Sequence, residues 1–178
     1  MNKLIVLSGV PGSGKSYFSK TLKKVKNNHV YIVSSDGLRE TIGGAQSNLT
    51  NEELMWKIFY ALAKAYAQDK DGIVVLDATH VTTELRVDRN QQLKPLFDQT
   101  YLLMWDIDKQ IVSNQNLQRE YPIPPEALEM FFNIFEKPNE KDREFFDKII
   151  MIENSDIAQA IKEVIDDGTN DNPLGLAL

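Results

Sequence analysis

Four clusters of residues in this sequence have types and spacings suited to phosphate chemistry. The first, Gly9-Val10-Pro11-Gly12-Ser13-Gly14-Lys15-Ser16, matches G-x-x-x-x-G-K-[ST] in full. Glycines at these positions let backbone N–H groups turn inward around a β-phosphate, where side chains would collide. The start of the following helix adds partial positive charge to the cradle. Lys15 is then placed to reach the β- and γ-phosphates of ATP. The Ser16 hydroxyl is placed to complete a magnesium shell made otherwise of phosphate oxygens and water. An apolar run before the motif and a helical pattern after it separate it from a glycine-rich turn that binds nothing.

The second cluster is Ser34-Ser35-Asp36-Gly37-Leu38-Arg39. It follows an apolar run, at the carboxyl end of a strand, where open α/β sheets take their ligands. A carboxylate there, Asp36, can accept the proton of an acceptor hydroxyl as phosphoryl transfer proceeds. Arg39, three residues on and on the same helical face, can hold an anionic group of the acceptor. The plainer alternative makes Asp36 an N-cap and Arg39 a solvated charge, and capping does not exclude catalysis.

The third is Ile73-Val74-Val75-Leu76-Asp77-Ala78-Thr79-His80, followed by Arg86. Apolar residues ending in Asp77 suit a buried Walker-B-like strand whose carboxylate meets the magnesium shell, through water, or a substrate group. Thr79 can donate a hydrogen bond into the same crevice. The competing reading is a buried aspartate that caps the next helix. His80, with no second ligand nearby, reads as a surface or crevice contact and not as a metal ligand. The fourth is Asn114-Gln115-Asn116-Leu117-Gln118-Arg119-Glu120, ahead of a proline-rich break. Arg119 suits a lid that stabilises charge on the transferring group. Helix-dipole stabilisation alone would also select an arginine in a last turn.

The elements that must position these clusters follow from hydrophobic periodicity. Strands are expected at Leu4 to Ser8, His29 to Ser34, Ile73 to Asp77, Thr100 to Ile107 and Ile149 to Ile152. A helix from Gly14 to Lys26 presents Phe18, Leu22 and Val25, and a short one runs from Asp36 to Ile42. Thr50-Asn51-Glu52-Glu53 reads as a capping box opening a long helix with the stripe Leu54, Ile58, Ala61, Leu62 and Ala65. A polar helix is expected over about Thr83 to Phe97, and another from Asp108 to Arg119. A proline-started helix carries Leu128, Phe131, Phe132 and Phe135. Ser155 caps a last helix with Ile157, Ile161, Val164 and Ile165 facing in. Strands alternating with helices predict one α/β domain: a central parallel sheet of about five strands, helices on both faces, and a helical lid. The domain is expected over 1–166 with the lid at about 110–138. The stretch 167–178, with Leu174, Leu176 and Leu178, reads as a C-terminal tail.

At 178 residues the chain is large enough to bury a core without staples. It has no cysteine, which excludes disulfides and thiolate zinc sites and fits a reducing cytoplasm. The apolar start at Leu4 is ended by Gly9 and Pro11, so it reads as a buried strand and not as a signal peptide or membrane span. The net charge of −6 opposes broad electrostatic binding to nucleic acid, so such a substrate would need a few placed cations. No N-K-x-D guanine-reading segment occurs. Ile42-Gly43-Gly44-Ala45-Gln46 lacks the serine of transporter ATPase signatures. Motor and switch ATPases usually need a longer chain, so the size favours a kinase.

Taken together, the clusters resemble the kinase domain of phage and bacterial polynucleotide 5′-kinases. The resemblance spans roughly residues 3 to 154. It rests on GVPGSGKS, the S-x-D-x-x-R-like stretch through Arg39, the D-A-T segment, and an arginine before a proline-led helix. It implies that Lys15 and Ser16 hold ATP and magnesium and that Asp36 is the general base. It further implies that Arg39 grips the phosphate next to an accepting 5′-hydroxyl of DNA or RNA, and that Arg119 contacts the reacting phosphates. His80 stands where relatives often carry asparagine, and Gln115 where some carry a further lid arginine. Val164 to Thr169 is similar to the start of the phosphatase domain that follows in some relatives. Ile165 replaces its nucleophile, and no phosphatase activity is expected. The expected activity is thus ATP-dependent phosphorylation of a polynucleotide 5′-end, with no obligatory protein partner and no membrane. The alternatives are a kinase of a small metabolite, antibiotic or nucleotide sugar, and an ATP-binding regulatory module.

Overall fold

Strand β1 (Lys3–Ser8) is buried along its whole length, which requires cover on both faces. In this computed structural model, which describes residues 1–26, 28–153 and 157–165, helices on each side supply it. β1 is the central strand of a five-stranded sheet ordered β2-β3-β1-β4-β5. Its neighbours are β2 (Val30–Ser34), β3 (Ile73–Asp77), β4 (Gln99–Trp105) and β5 (Lys148–Ile152). Every pairing is parallel, so all five carboxyl ends lie along one edge. The expected α/β fold is observed.

Alternation along β1 builds two cores. Ile5 and Leu7 pack with Phe18 and Leu22 of α1 (Lys15–Lys26) and with Ile157, Ile161 and Val164 of α8 (Ile157–Ile165). Leu4 and Val6 pack with Met55, Phe59 and Ala63 of α3 (Glu52–Tyr66). Phe145 of α7 (Glu140–Phe145) joins that second core. The remaining helices are α2 (Ser35–Gly43), α4 (Thr83–Arg86), α5 (Lys109–Leu117) and α6 (Pro125–Ile134). No helix among the described residues is long and apolar enough to cross a membrane.

Several local expectations are corrected. Helix α3 begins after Asn51, whose side chain makes no cap hydrogen bond, so the Thr50 capping box does not form. Its buried stripe is Met55, Phe59 and Ala63. The predicted stripe is rotated by one position, and Leu54 is 49% exposed. Both stripes run at i, i+4, so periodicity could not choose between them. The predicted helix over Thr83 to Phe97 stops at Arg86 and gives way to two 3₁₀ turns, Asp88–Asn90 and Lys94–Leu96. Asn90 Nδ2 donates to the carbonyls of Leu85 and Arg86, the acceptors that a continuing helix would offer to the N–H groups of residues 89 and 90. Helix α7 was not anticipated, although Asn139 and Asp142 form a complete capping box. Ser155 and the expected tail 167–178 lie outside the described residues.

Candidate active site

The phosphate loop joins β1 to α1 at the carboxyl edge of the sheet. A Cβ on Gly9 would lie 2.8 Å from Ser13 Oγ and 3.0 Å from Trp105 Cβ, so only glycine fits there. Gly14 has φ +107°, a conformation that side chains rarely adopt. Its carbonyl receives the N–H groups of Tyr17 and Phe18, so the cradle runs straight into the helix. The Gly9 N–H donates to the carbonyl of Thr79 at 3.0 Å, which ties the loop to the segment after β3.

Lys15 is buried and donates its Nζ to the carbonyls of Gly9 and Val10, each at 2.8 Å. Burial lowers its pKa from the ordinary 10.5 to about 8, against the charges of Asp77 and Asp36, while Arg119 lowers it further. Asp77, the last residue of β3, is also buried. Burial raises its pKa, opposed by Lys15 and by a hydrogen bond from the Ser16 hydroxyl. Ser19 Oγ donates weakly to it at 3.5 Å. Ser16 and Asp77 thus meet, a pair of hard oxygen donors that suits magnesium, which keeps water and phosphate oxygens for the rest of its shell.

Register explains why Asp36 joins them. Ser34 pairs with Asp77 across β2 and β3, and the chain turns into α2 two residues before Asp36. The N-cap of α2 is Ser34, whose side chain accepts from the Gly37 N–H. Asp36 therefore does not cap the helix; it lies in the first turn with its carboxylate acting on both Lys15 and Asp77.

Arg39 is not solvated. Its Nε and Nη2 fork onto Glu52 of α3 at 2.6 and 3.0 Å, and Nη1 donates to Asp36 Oδ1 at 2.8 Å. The hydrogen bond that Arg39 donates to Glu52, then the charges of Glu52 and Asp36, raise its pKa against burial. Glu52, which the sequence suggested only as part of a helix start, is a site residue that was missed; its partner is 13 residues away.

Helix α5 lies against the loop: a Cβ on Gly12 would touch the Val112 carbonyl and Asn116 Cβ at 3.5 and 3.7 Å. Arg119 lies beyond the C-cap Gln118, and α5 has no basic residue in its last turn. One place past the cap it still lies beside the last carbonyls, so the helix-end role stays open, and its charge also reaches Lys15. Asn116, named in the fourth cluster without a role of its own, pins the turn carrying Arg119 by exchanging two hydrogen bonds with the backbone of Ile123. His80 corrects the surface or crevice reading. It is buried with φ +38°, its Nδ1 bonds the Leu7 carbonyl at 2.9 Å, and burial lowers its pKa to about 4. No group of three or more metal-ligating His, Cys, Asp or Glu side chains occurs among the described residues.

A family model described as an AAA domain matches residues 4–138, well over half of the chain. The chain belongs to the AAA domain family. Solved structures add the fold. This AAA domain superposes on a gluconokinase from Sinorhizobium meliloti 1021 with TM-score 0.60 and 18% identity, covering 90% of this chain and 88% of that one. A sugar kinase from Janibacter sp. HTCC2649 gives 0.58 and 18%, covering 92% of each. The shikimate kinase of Aquifex aeolicus vf5 gives 0.53 and 16%, covering 90% and 92%. At these identities the likeness concerns the fold, which is that of P-loop kinases.

One prediction rests on the depressed lysine of this AAA domain. Triphosphate favours the charged form of Lys15, so ATP binding should take up close to one proton per site at pH 9 and almost none from this group at pH 7. Calorimetry in buffers of different ionisation enthalpy measures the uptake, and none at pH 9 would contradict the assignment. Without ATP the sign for stability is the opposite of a gained partner. The folded group loses its proton near 8 and the unfolded group near 10.5, so Lys15 contributes stability that rises with pH through that window.

Proposed function

We propose that this AAA domain transfers the γ-phosphoryl group of ATP to a hydroxyl of a small polar metabolite. The observation that carries the proposal is the convergence of Asp36, at the β2 end, on Lys15 and Asp77 of the phosphate site. Asp36 takes the proton of the acceptor hydroxyl while its oxygen bonds to the γ-phosphorus. The bond to the bridging β–γ oxygen breaks and ADP leaves. Lys15 and Arg119 oppose the charge that develops on the transferring group. Ser16 and, through water, Asp77 would hold magnesium, which would supply charge neutralisation at the phosphates. Thr79 contributes its carbonyl to the loop, and its half-buried side chain is available at the same strand end.

The resemblance to polynucleotide 5′-kinases supports a second reading, with a 5′-hydroxyl DNA or RNA end as acceptor. That reading needs Arg39 to exchange Glu52 for an acceptor phosphate. The acceptor side carries Asp36 and Glu52, two carboxylates on that single guanidinium, a balance that favours an uncharged or amine-bearing acceptor over a polyanion. The gluconokinase, sugar kinase and shikimate kinase descriptions of the similar structures also favour the small-molecule reading. A regulatory module would need neither a base nor a lid arginine. The test is transfer of label from γ-labelled ATP to a panel of polyols, amino sugars, sugar acids, nucleosides and 5′-hydroxyl oligonucleotides. Preferential labelling of oligonucleotides would replace the metabolite reading. Hydrolysis stimulated by a protein, and never by an acceptor, would replace both.

Arg119→Ala should lower kcat about a hundredfold or more while KM for ATP rises only a few-fold. Arg119→Lys should not restore the rate, because a point charge does not reproduce the planar fork. Single-turnover rates on both variants check this, and full activity in the lysine variant would remove Arg119 from the transition state.

A further inference from the structure

The three-residue arrangement Asp36–Arg39–Glu52 divides one guanidinium unequally between two carboxylates. Glu52 takes two of its nitrogens, Nε and Nη2, in a fork at 2.6 and 3.0 Å. Asp36 takes only Nη1, through Oδ1, at 2.8 Å. Its other oxygen, Oδ2, makes no hydrogen bond among the described residues, and about half of the side chain is exposed, 49%. The Arg39 side chain is 15% exposed and therefore held, not swinging in solvent.

The geometry matters because a guanidinium prefers to fork both oxygens of a carboxylate. Were Asp36 its only partner, Arg39 at i+3 on the same helical face would be within reach of both oxygens. A carboxylate engaged in that way spends one lone pair of each oxygen on the guanidinium, which lowers the basicity of both. Glu52 comes from a different helix, across the loop 44–51, and occupies Nε and Nη2, of which Nη2 is the nitrogen that would complete a fork with Nη1. Asn48 shapes that loop: its Nδ2 donates to the Gly43 carbonyl and its Oδ1 accepts from the Thr50 N–H, so the entry to α3 is fixed with respect to α2.

We infer that Glu52 is a positioning residue which, by holding Arg39 in a fork, keeps Oδ2 of Asp36 as the oxygen that accepts the acceptor's proton. Arg39 then orients the base through Oδ1 and does not serve as a ligand of the acceptor. The inference rests on the kinase reading above, which makes Asp36 the base, but its geometric half stands apart from any activity. Glu52 does not touch the reacting atoms. Its effect passes through Arg39 to Asp36, and that order of action is testable.

In Glu52→Gln the crystal structure should show Arg39 closed onto both oxygens of Asp36; one contact retained, as in the parent, overturns the inference whatever the enzyme does. Phosphoryl transfer to the best acceptor of the panel, and slow hydrolysis with water as the acceptor, should both fall about tenfold or more. KM for ATP should change less than about threefold. The decisive readout is epistasis. Added to Asp36→Asn or to Arg39→Gln, the Glu52→Gln change should cost no further rate, because its route of action is already removed. A merely structural Glu52 predicts the same proportional loss in every background, and that outcome overturns the inference while leaving the kinase reading intact. If the parent protein neither hydrolyses ATP nor labels any acceptor, the kinase reading fails and the catalytic part of this inference fails with it.

Discussion

Asp36→Asn should bind ATP as the parent does and transfer its γ-phosphoryl group about two orders of magnitude more slowly, or worse. The amide keeps the size of the carboxylate and can still accept the Arg39 Nη1–H at the Oδ1 position. It has no basic lone pair for a substrate proton. Helix α2 should be unaffected, since Ser34 and not Asp36 is its cap. A fall in rate therefore cannot be ascribed to a frayed helix, a clean separation that sequence alone did not offer. Rapid-quench measurement of a single turnover, with ATP affinity measured in parallel, checks the expectation. Turnover within threefold of the parent would remove Asp36 as the base.

The largest expected change in stability lies away from the phosphates. Arg86 and Asp142 are both completely buried. Arg86 Nε and Nη2 fork onto the two oxygens of Asp142 at 2.8 and 2.9 Å. Nη1 donates to the carbonyls of Val81 and Glu136 at 3.1 and 2.9 Å, and the Thr83 hydroxyl donates to Asp142 at 3.1 Å. Asp142→Ala would leave a guanidinium buried without its counter-charge and should cost about 3–5 kcal/mol. For a chain of this size that corresponds to a fall of roughly 6–20 °C in Tm. Replacing both partners by apolar residues of similar volume should cost much less, because no charge remains to be desolvated. Burial alone would raise the pKa of Asp142, but the bonds from Arg86 and Asn139 outweigh it and leave the carboxyl below its ordinary 3.8. Its contribution to stability is thus present above that value and is lost as the pH falls below it. Thermal unfolding of the single and double variants at pH 7 and pH 3 measures all of these. A single variant as stable as the parent would mean that the pair contributes nothing net. The network also holds the segment that follows α6, since Glu136 accepts the Thr83 N–H and donates its own N–H to Val81.

The phosphate loop was fully legible in the sequence because its chemistry is local. Glycine conformations, the start of α1, and the reach of Lys15 and Ser16 depend on residues within eight positions of one another. The five strands were legible for a related reason: a run such as IVVLD cannot be solvated on either face, and β3 is buried throughout. Asp77 followed from its place at the end of such a run.

What the sequence could not supply depends on which surfaces meet. The choice between the stripes Leu54–Ile58–Leu62 and Met55–Phe59–Ala63 on α3 was made by the sheet that the helix packs on. The helix expected over Thr83 to Phe97 was cut short because Arg86 is drawn into a buried pair with a residue 56 positions away and Asn90 takes the carbonyls that would continue it. His80 looked like a crevice contact because polarity alone does not reveal that a neighbouring strand's carbonyl will receive it. Arg39 is the sharpest case. Its spacing from Asp36 was readable, and so was its availability for an anion, but the anion that it binds in this structure is Glu52 of the next helix. By itself the sequence determined the phosphate loop and the sheet that carries it, since both are set by backbone geometry and by apolar runs. Only the tertiary structure decided which side chains meet at the strand ends and which are already paired, because charges find partners by distance in space and not by distance along the chain.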